Sequence, residues 1–283
     1  MARPLRIEYE GAVYHITARG NEKRSIFKDN KDRFIFLDIL NKAKEKYNWL
    51  CHAYCLMNNH YHLIIETIDA NLSIGMRQLN GVYSQAFNNR HKRAGHFFQG
   101  RYNSIIIEKN AYLLEASRYV VLNPVRAKIV KHPQEWKWSS YRSMVGIEKP
   151  LKLLTTDWVL SEFSKNKKKA QQLYQDFILE GLGDSIYSKI KYRNILGSPE
   201  FIKKLKKYTQ DKEDVKEIIR KERYIDRPSL ESLFSKKILE AKEARNKQIA
   251  AAVYNYGYRQ IEIANYLNMN YATISRLVKK QKV

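Results

Sequence analysis

Short apolar or alternating runs along the first 122 residues are separated by longer segments whose apolar positions recur every three to four residues. "AVYHITARG", Ala12 to Gly20, reads as a strand closed by Gly20-Asn21. "DNKDRFIFLDILNKAKEKYN" carries a start signal in Asp29 and an apolar stripe of Phe36, Ile39, Leu40, Ala43 and Tyr47, which predicts a helix. "WLCHAYCLM" and "HYHLIIE" are branched and aromatic runs joined by Asn58-Asn59, a hairpin pattern. Leu72 to Arg93 reads as a second helix with a basic tail, closed by Gly95. "RYNSIIIE" is a further strand, and Asn110 opens "NAYLLEASRYVVLNP", a helix stopped by Pro124.

The resulting order, strand-helix-strand-strand-helix-strand with a closing helix, predicts an α+β palm. It is ferredoxin-like or RRM-like, a βαββαβ unit with an antiparallel sheet and helices packed on one face. "PQEWKWSSYRS" reads as a tail folded back on that domain, giving a first domain of residues 1–150. Residues 151–240 form a Lys-rich, mostly helical connecting region, with Ser198 and Pro199 opening one helix. Residues 241–283 change character: "NKQIAAAVYNYG", "YRQIEIANYL" and "YATISRLVKKQ" predict three helices. Ile261, Ala264 and Leu267 make one stripe and Ile274, Leu277 and Val278 another, the pattern of a helix-turn-helix.

Charge sharpens this picture. Lys and Arg number 52 against 29 Asp and Glu, a formal charge of +23 over 283 residues. Such an excess suits a polyanion, nucleic acid first and an anionic membrane surface second. There is no run of about 18 apolar residues to span a bilayer, and "MARPLRIEYEG" lacks the apolar core of a signal peptide. The only cysteines, Cys51 and Cys55, would lie about 13 Å apart along one strand, too far for a disulfide. A reduced, cytoplasmic protein is therefore expected.

The candidate chemistry sits in "CLMNNHYHLIIE". On a strand, His60 and His62 share one face while Tyr61, Leu63 and Ile65 share the other. The expectation is that the apolar side meets the helices and the histidines look out of an open sheet face. Their Cβ atoms would be about 7 Å apart, close enough for two imidazoles to converge on one cation. No cysteine is near, so a structural zinc site is disfavoured. Two imidazoles plus an oxygen ligand suit Mg²⁺ or Mn²⁺, acting as a Lewis acid on a phosphodiester. A nucleophile is then needed, and with 20 tyrosines in the chain spacing alone selects none.

"NNHYHLIIE", with "YHITARGNEKRSIF" upstream and "RYVVLNPVRAKIV" downstream, resembles the one-tyrosine transposases of the HUH nuclease superfamily, in particular the REP-associated tyrosine transposases. The resemblance covers about Met1 to Arg142, with more at "ILGSPEFIKKL". "EIANYLNMNYATISRLVKK" resembles the DNA-binding helix-turn-helix of the replication initiator DnaA. By this resemblance His60 and His62 are the metal-binding pair and Tyr119, four residues before Asn123, is the nucleophile. Asn123 then falls at the third ligand position. Residues i and i+4 share a helix face, which lets Tyr119 and Asn123 address one ion together, and Pro124 is expected to bias Asn123 away from helical geometry. Tyr112 and Tyr102 are the rival nucleophiles.

The resemblance implies attack of Tyr119 on single-stranded DNA at a hairpin or repeat, leaving a 5′-phosphotyrosine and a free 3′-OH. DNA contacts are expected from Arg19, Lys23, Arg24, Arg90, Lys92, Arg93, Arg101 and Tyr102 near the site, the aromatic rings stacking on bases. Asn270, Tyr271, Thr273 and Arg276 would read duplex DNA from the helix-turn-helix. A bacterial, nucleoid-associated monomer or homodimer is implied. Two alternatives remain at this level: a domesticated DNA-binding regulator, and a relaxase or replication-initiator nickase. Intact His60, His62, Tyr119 and Asn123 favour the transposase.

Overall fold

The computed structural model describes residues 7–182, 195–208 and 228–280. It divides into two compact units, one of Glu8–Ser198 and one made mainly of residues from Pro199 onward. The first unit is built on β1 (Ala12–Arg19), α1 (Asn30–Lys46), β2 (Trp49–Leu56), β3 (His60–Thr67), α2 (Leu72–Arg90), β4 (Asn103–Ile107) and α3 (Lys109–Arg126). This is the expected βαββαβ order with α3 following. The sheet runs β2-β3-β1-β4-β5, antiparallel through its first four strands. A fifth strand, β5 (Ile195–Leu196), pairs parallel to β4.

Both sheet faces are covered. Tyr14, Ile16, Tyr61, Leu63 and Ile65 point to the side of α1 and α2 and are buried. There Phe36 of α1 meets Tyr61 at 4.8 Å between ring centroids and Tyr83 of α2 at 5.0 Å. The opposite face, carrying Val13, Ile64, Ile105 and Ile107, packs against Leu113, Ala116 and Val120 of α3. The histidine face is thus not the open face expected. Its far half is apolar, and removing those side chains from water is worth ~1.5–3 kcal/mol each, so a helix closes over it. In α1 the inward positions are Phe36, Leu37, Leu40 and Ala43, with Ile39 only half-buried.

Asp29 caps α1 as expected, its carboxylate accepting the Asp32 N–H at 3.0 Å. Pro124 behaves differently from expectation. It lies inside α3, which runs on to Arg126, and Asn123 keeps helical geometry. A proline so near the end costs only the N–H that Val120 C=O would have received, and Asn123 Nδ2 donates to that carbonyl at 3.3 Å and to Tyr119 C=O at 2.9 Å. Lys128, at φ +57°, then closes the helix in left-handed geometry.

The expected boundary at residue 150 falls inside the first unit. The "WKWSS" tail does fold back: Leu56 N–H bonds Trp138 C=O at 2.8 Å and Ser140 N–H bonds Tyr54 C=O at 3.0 Å. Thr155 N–H then reaches Cys51 C=O at 2.7 Å, so the outer edge of β2 is covered rather than left to pair elsewhere. After the short helices α4 (Tyr141–Met144) and α5 (Asp157–Ser161), α6 (Lys167–Glu180) packs on α3. Tyr174 OH and Ser117 Oγ lie 3.1 Å apart, and Arg118 donates to Phe177 C=O at 3.1 Å. Cys51 and Cys55 are free and buried.

In the second unit Pro199 opens α7 (Pro199–Leu205). Further on come α8 (Leu230–Leu233), α9 (Lys236–Glu240), α10 (Lys242–Tyr254), α11 (Gln260–Tyr266) and α12 (Tyr271–Lys280). Ile249, Ala252, Val253, Ile263, Ala264, Ile274 and Val278 form their common core. Ile261, expected in that stripe, is 43% exposed, and Ile263 takes the inward place. No helix among the described residues is long and apolar enough to cross a membrane.

Candidate active site

The site face is assembled by strand pairing. His62 lies across from Thr17 and His60 across from Arg19, so β1 presents His15, Thr17 and Arg19 beside the β3 histidines. The hairpin that delivers His60 is held from several sides. Gly20 N–H bonds Asn59 C=O at 2.9 Å, and Ile26 and Phe27 N–H bond Asn58 C=O at 2.9 and 3.1 Å. Gly20 must be glycine, because a Cβ there would lie 2.2 Å from the Arg24 carbonyl oxygen. Arg33, enclosed by Phe27, Trp136 and Trp138, donates to Asn58 Oδ1 at 2.7 Å.

His60 Nδ1 faces Asn59 Oδ1 at 2.6 Å. The Asn59 amide is oriented by its own Nδ2, which donates to Lys23 C=O at 3.1 Å. Oδ1 can only accept, so His60 carries its hydrogen on Nδ1 and keeps a lone pair on Nε2. His62 is 6% exposed, its Nδ1 lies 2.9 Å from His15 Nε2, and its own Nε2 is buried with no hydrogen-bond partner. The His60 and His62 ring centroids are 5.0 Å apart at 74°. Among the described residues no three His, Cys, Asp or Glu side chains gather into a metal-binding group. Two imidazoles with available Nε2 positions, one of them a buried orphan, still fit a cation whose remaining ligands are amide, water or phosphate oxygens.

Tyr119 stands over this face from α3. Its ring centroid is 6.1 Å from that of His62 and 5.9 Å from that of His15, both edge-on. The Arg126 guanidinium lies 4.7 Å from the Tyr119 ring and donates to Tyr119 C=O at 3.3 Å. Asn123 sits one turn beyond Tyr119, with Nδ2 turned to the helix backbone. Of the rivals, Tyr112 packs beside the α3 core, and Tyr102 is 6% exposed with its hydroxyl 3.4 Å from Ser73 Oγ.

That burial also removes Tyr102 as a base-stacking platform. Arg90, expected to contact DNA, clamps the start of α1, with Nη2 2.6 Å from Asp29 and Nη1 bonded to Asp29 and Asp32. Hydrogen bonding from Arg90, then from the Asp32 backbone, holds the Asp29 carboxyl down at about 2. A guanidinium engaged by two carboxylates is a helix-to-helix tie before it is a phosphate contact. Arg19, Lys23, Arg24, Lys92 and Arg101 are exposed, with Arg24 paired to Glu22, and Arg93 lies over the Phe87 ring at 5.9 Å. In the second unit Asn270, Tyr271 and Arg276 are exposed and Thr273 is half-buried at the start of α12.

Two residues escaped the sequence reading, His15 and Arg126. For His15 a signal existed: it occupies the same alternation phase as Arg19 in "HITAR", so any register pairing Arg19 with His60 brings it to the site face.

Burial holds the His15 pKa at about 3, and burial with the Arg19 charge holds that of His60 at about 4. Burial first, then the neighbouring histidines, keeps His62 well below its ordinary value. His15 and His60 are thus neutral above about pH 5. The unfolded chain takes up protons below pH ~6.5 where the folded one does not, so stability is lost as pH falls from there toward 4. The loss is carried chiefly by the buried, hydrogen-bonded pair His15 and His62. Urea midpoints of metal-free protein at pH 7 and 4.5 test this, and identical midpoints would contradict it.

A ferredoxin-like palm thus carries a histidine pair facing a helix-borne tyrosine. Residues 8–123 match the family model described as "Transposase IS200 like", and the palm is an IS200-like transposase domain. Among solved structures, "Structure of the REP associates tyrosine transposase bound to a REP hairpin" is similar over 56% of this chain and 91% of that chain. The identity is 19% and the TM-score 0.45. No curated protein matches this chain in sequence.

Proposed function

We propose that the chain nicks and rejoins single-stranded DNA at hairpin or repeat sequences, with Tyr119 as nucleophile. The observation that carries this reading is the 6.1 Å approach of the Tyr119 ring to His62 within one chain, which also supports a tyrosine acting on DNA bound by its own palm. The Tyr119 oxygen attacks phosphorus, the P–O3′ bond breaks, and the phenolic proton leaves as the 3′ oxygen becomes a hydroxyl. One phosphoester replaces another, so a 3′-OH reverses the step without ATP. His60 and His62 Nε2 with the Asn123 amide oxygen would hold a divalent ion, Mg²⁺ or Mn²⁺, which when bound polarises the scissile phosphodiester as a Lewis acid.

Arg126 fixes the attacking ring by its contact over the π face and sets a permanent positive charge beside the reacting group. Arg126→Ala should slow adduct formation about tenfold or more while Mn²⁺ affinity stays that of wild type. Lost Mn²⁺ binding would show instead that Arg126 acts through the fold.

Single-stranded DNA would cross the surface bearing Arg19, Lys23, Arg24, Lys92, Arg93 and Arg101. If about eight phosphates are neutralised, log affinity should fall with log salt at a slope near −6. A slope near zero would remove the electrostatic path. Asn270, Tyr271, Thr273 and Arg276 would hold adjoining duplex DNA, as in a DnaA-like helix-turn-helix.

The test is incubation with single-stranded DNA from both flanks of the gene, with Mn²⁺ or Mg²⁺. A metal-dependent adduct that survives SDS is expected. No adduct, together with tight duplex binding lost on deleting residues 258–283, would favour a regulator.

A further inference from the structure

His15 lies in "YHITARGNEKRSIF" but has no role in the proposed chemistry, yet it contacts one of the proposed ligands. Its ring lies nearly in the plane of the His62 ring, edge to edge, with centroids 5.1 Å apart and planes 16° from parallel. Its Nε2 meets His62 Nδ1 at 2.9 Å, and His15 itself is 3% exposed.

One nitrogen of that contact carries the proton, and the choice decides what His62 offers at its other end. If His15 donates, the His62 hydrogen sits on Nε2 as a buried N–H without an acceptor. That is a rarely tolerated arrangement, and it blocks ligation. If His62 donates, Nε2 presents a bare lone pair toward the site. We propose that His15 is a positioning residue, which as acceptor holds His62 in its Nδ1–H form and makes Nε2 a ligand for a divalent cation.

His60 is prepared in the same way by a different acceptor, Asn59 Oδ1 at 2.6 Å. Each imidazole has a hydrogen-bond acceptor behind it that sets tautomer and ring orientation, a common arrangement around metal-binding histidines. The near-coplanar hydrogen bond to His15 restrains both the rotation of His62 and the location of its proton. The inference rests on the reading that His60 and His62 hold the ion.

Two measurements test it. ¹⁵N NMR of histidine-labelled, metal-free protein should show His62 as the Nδ1–H tautomer, and an Nε2–H tautomer overturns the proposal whatever the protein does with metal. Mn²⁺ binding followed by EPR should weaken about 10–100-fold in His15→Leu. It should stay near wild type in His15→Gln, whose amide oxygen reaches the place of Nε2 and accepts the same hydrogen. Equal Mn²⁺ affinity in His15→Leu and wild type also overturns the proposal. If His15→Leu does not fold, the wild-type tautomer and the Gln variant still decide. Wild-type protein that binds no Mn²⁺ while His62 is Nδ1–H would defeat the metal reading separately.

Discussion

Tyr119→Phe is expected to abolish the covalent protein–DNA adduct, lowering strand cleavage by roughly 10⁴-fold or more while DNA binding persists. The change removes a single oxygen. The phenyl ring keeps its place 4.7 Å from the Arg126 guanidinium and 5.9 and 6.1 Å from the His15 and His62 rings, so the helix and the site face stay in place. Loss of the adduct with unchanged DNA affinity therefore reads on chemistry and not on folding. An adduct that survives SDS in this variant would keep the enzyme and reject the nucleophile. Tyr112 is then the tyrosine to change next, since Tyr102 is buried against Ser73.

His60→Ala should remove metal-dependent cleavage to a similar degree, and it is a cleaner test than His62→Ala. His60 is half-buried at the start of β3, whereas His62 is buried and hydrogen-bonded to His15, so removing it disturbs the face as well as the ligand set. Mn²⁺ titration of His60→Ala should show binding weakened by several orders of magnitude, because one of two imidazole ligands is gone. Undiminished binding would mean that the ion, if held, is held elsewhere. The two substitutions should also separate: Tyr119→Phe keeps the ion and loses the bond, and His60→Ala loses both.

Period-2 alternation suffices to put His60 and His62 on one face, while Tyr119 and Asn123 are singled out by the family resemblance and only then set one turn apart by the helix period. Such local rules do not reach across strands. His15 looks like one more polar residue in a core strand until the pairing of Arg19 with His60 sets the register. Arg90 in "NNRHKR" reads as part of a solvated basic tail, because Asp29 and Asp32 lie about sixty residues upstream and nothing near Arg90 announces them. Pro124 signals a stop by its own chemistry, but its position in the last turn and the Asn123 amide make it tolerable there. The limit of the first unit escaped for the same reason. A strand of two residues has almost no pattern of its own, and β5 exists because β4 offers it an edge.

That distant edge has a consequence for how the protein comes into being. Glu108, just before the helix of Tyr119, accepts from Ser198 N–H at 2.7 Å, and its own N–H bonds Leu196 C=O at 2.8 Å. These ties bind the root of the Tyr119 helix to chain that leaves the ribosome 89 residues after Ile107 (196 minus 107). At ordinary elongation rates that delay is about 5–18 s. For most of that interval a nascent palm has its histidines and Tyr119 but lacks the strand that pairs with β4. Fragments released before residue 196 carry the histidines and Tyr119 without the β5 edge on β4.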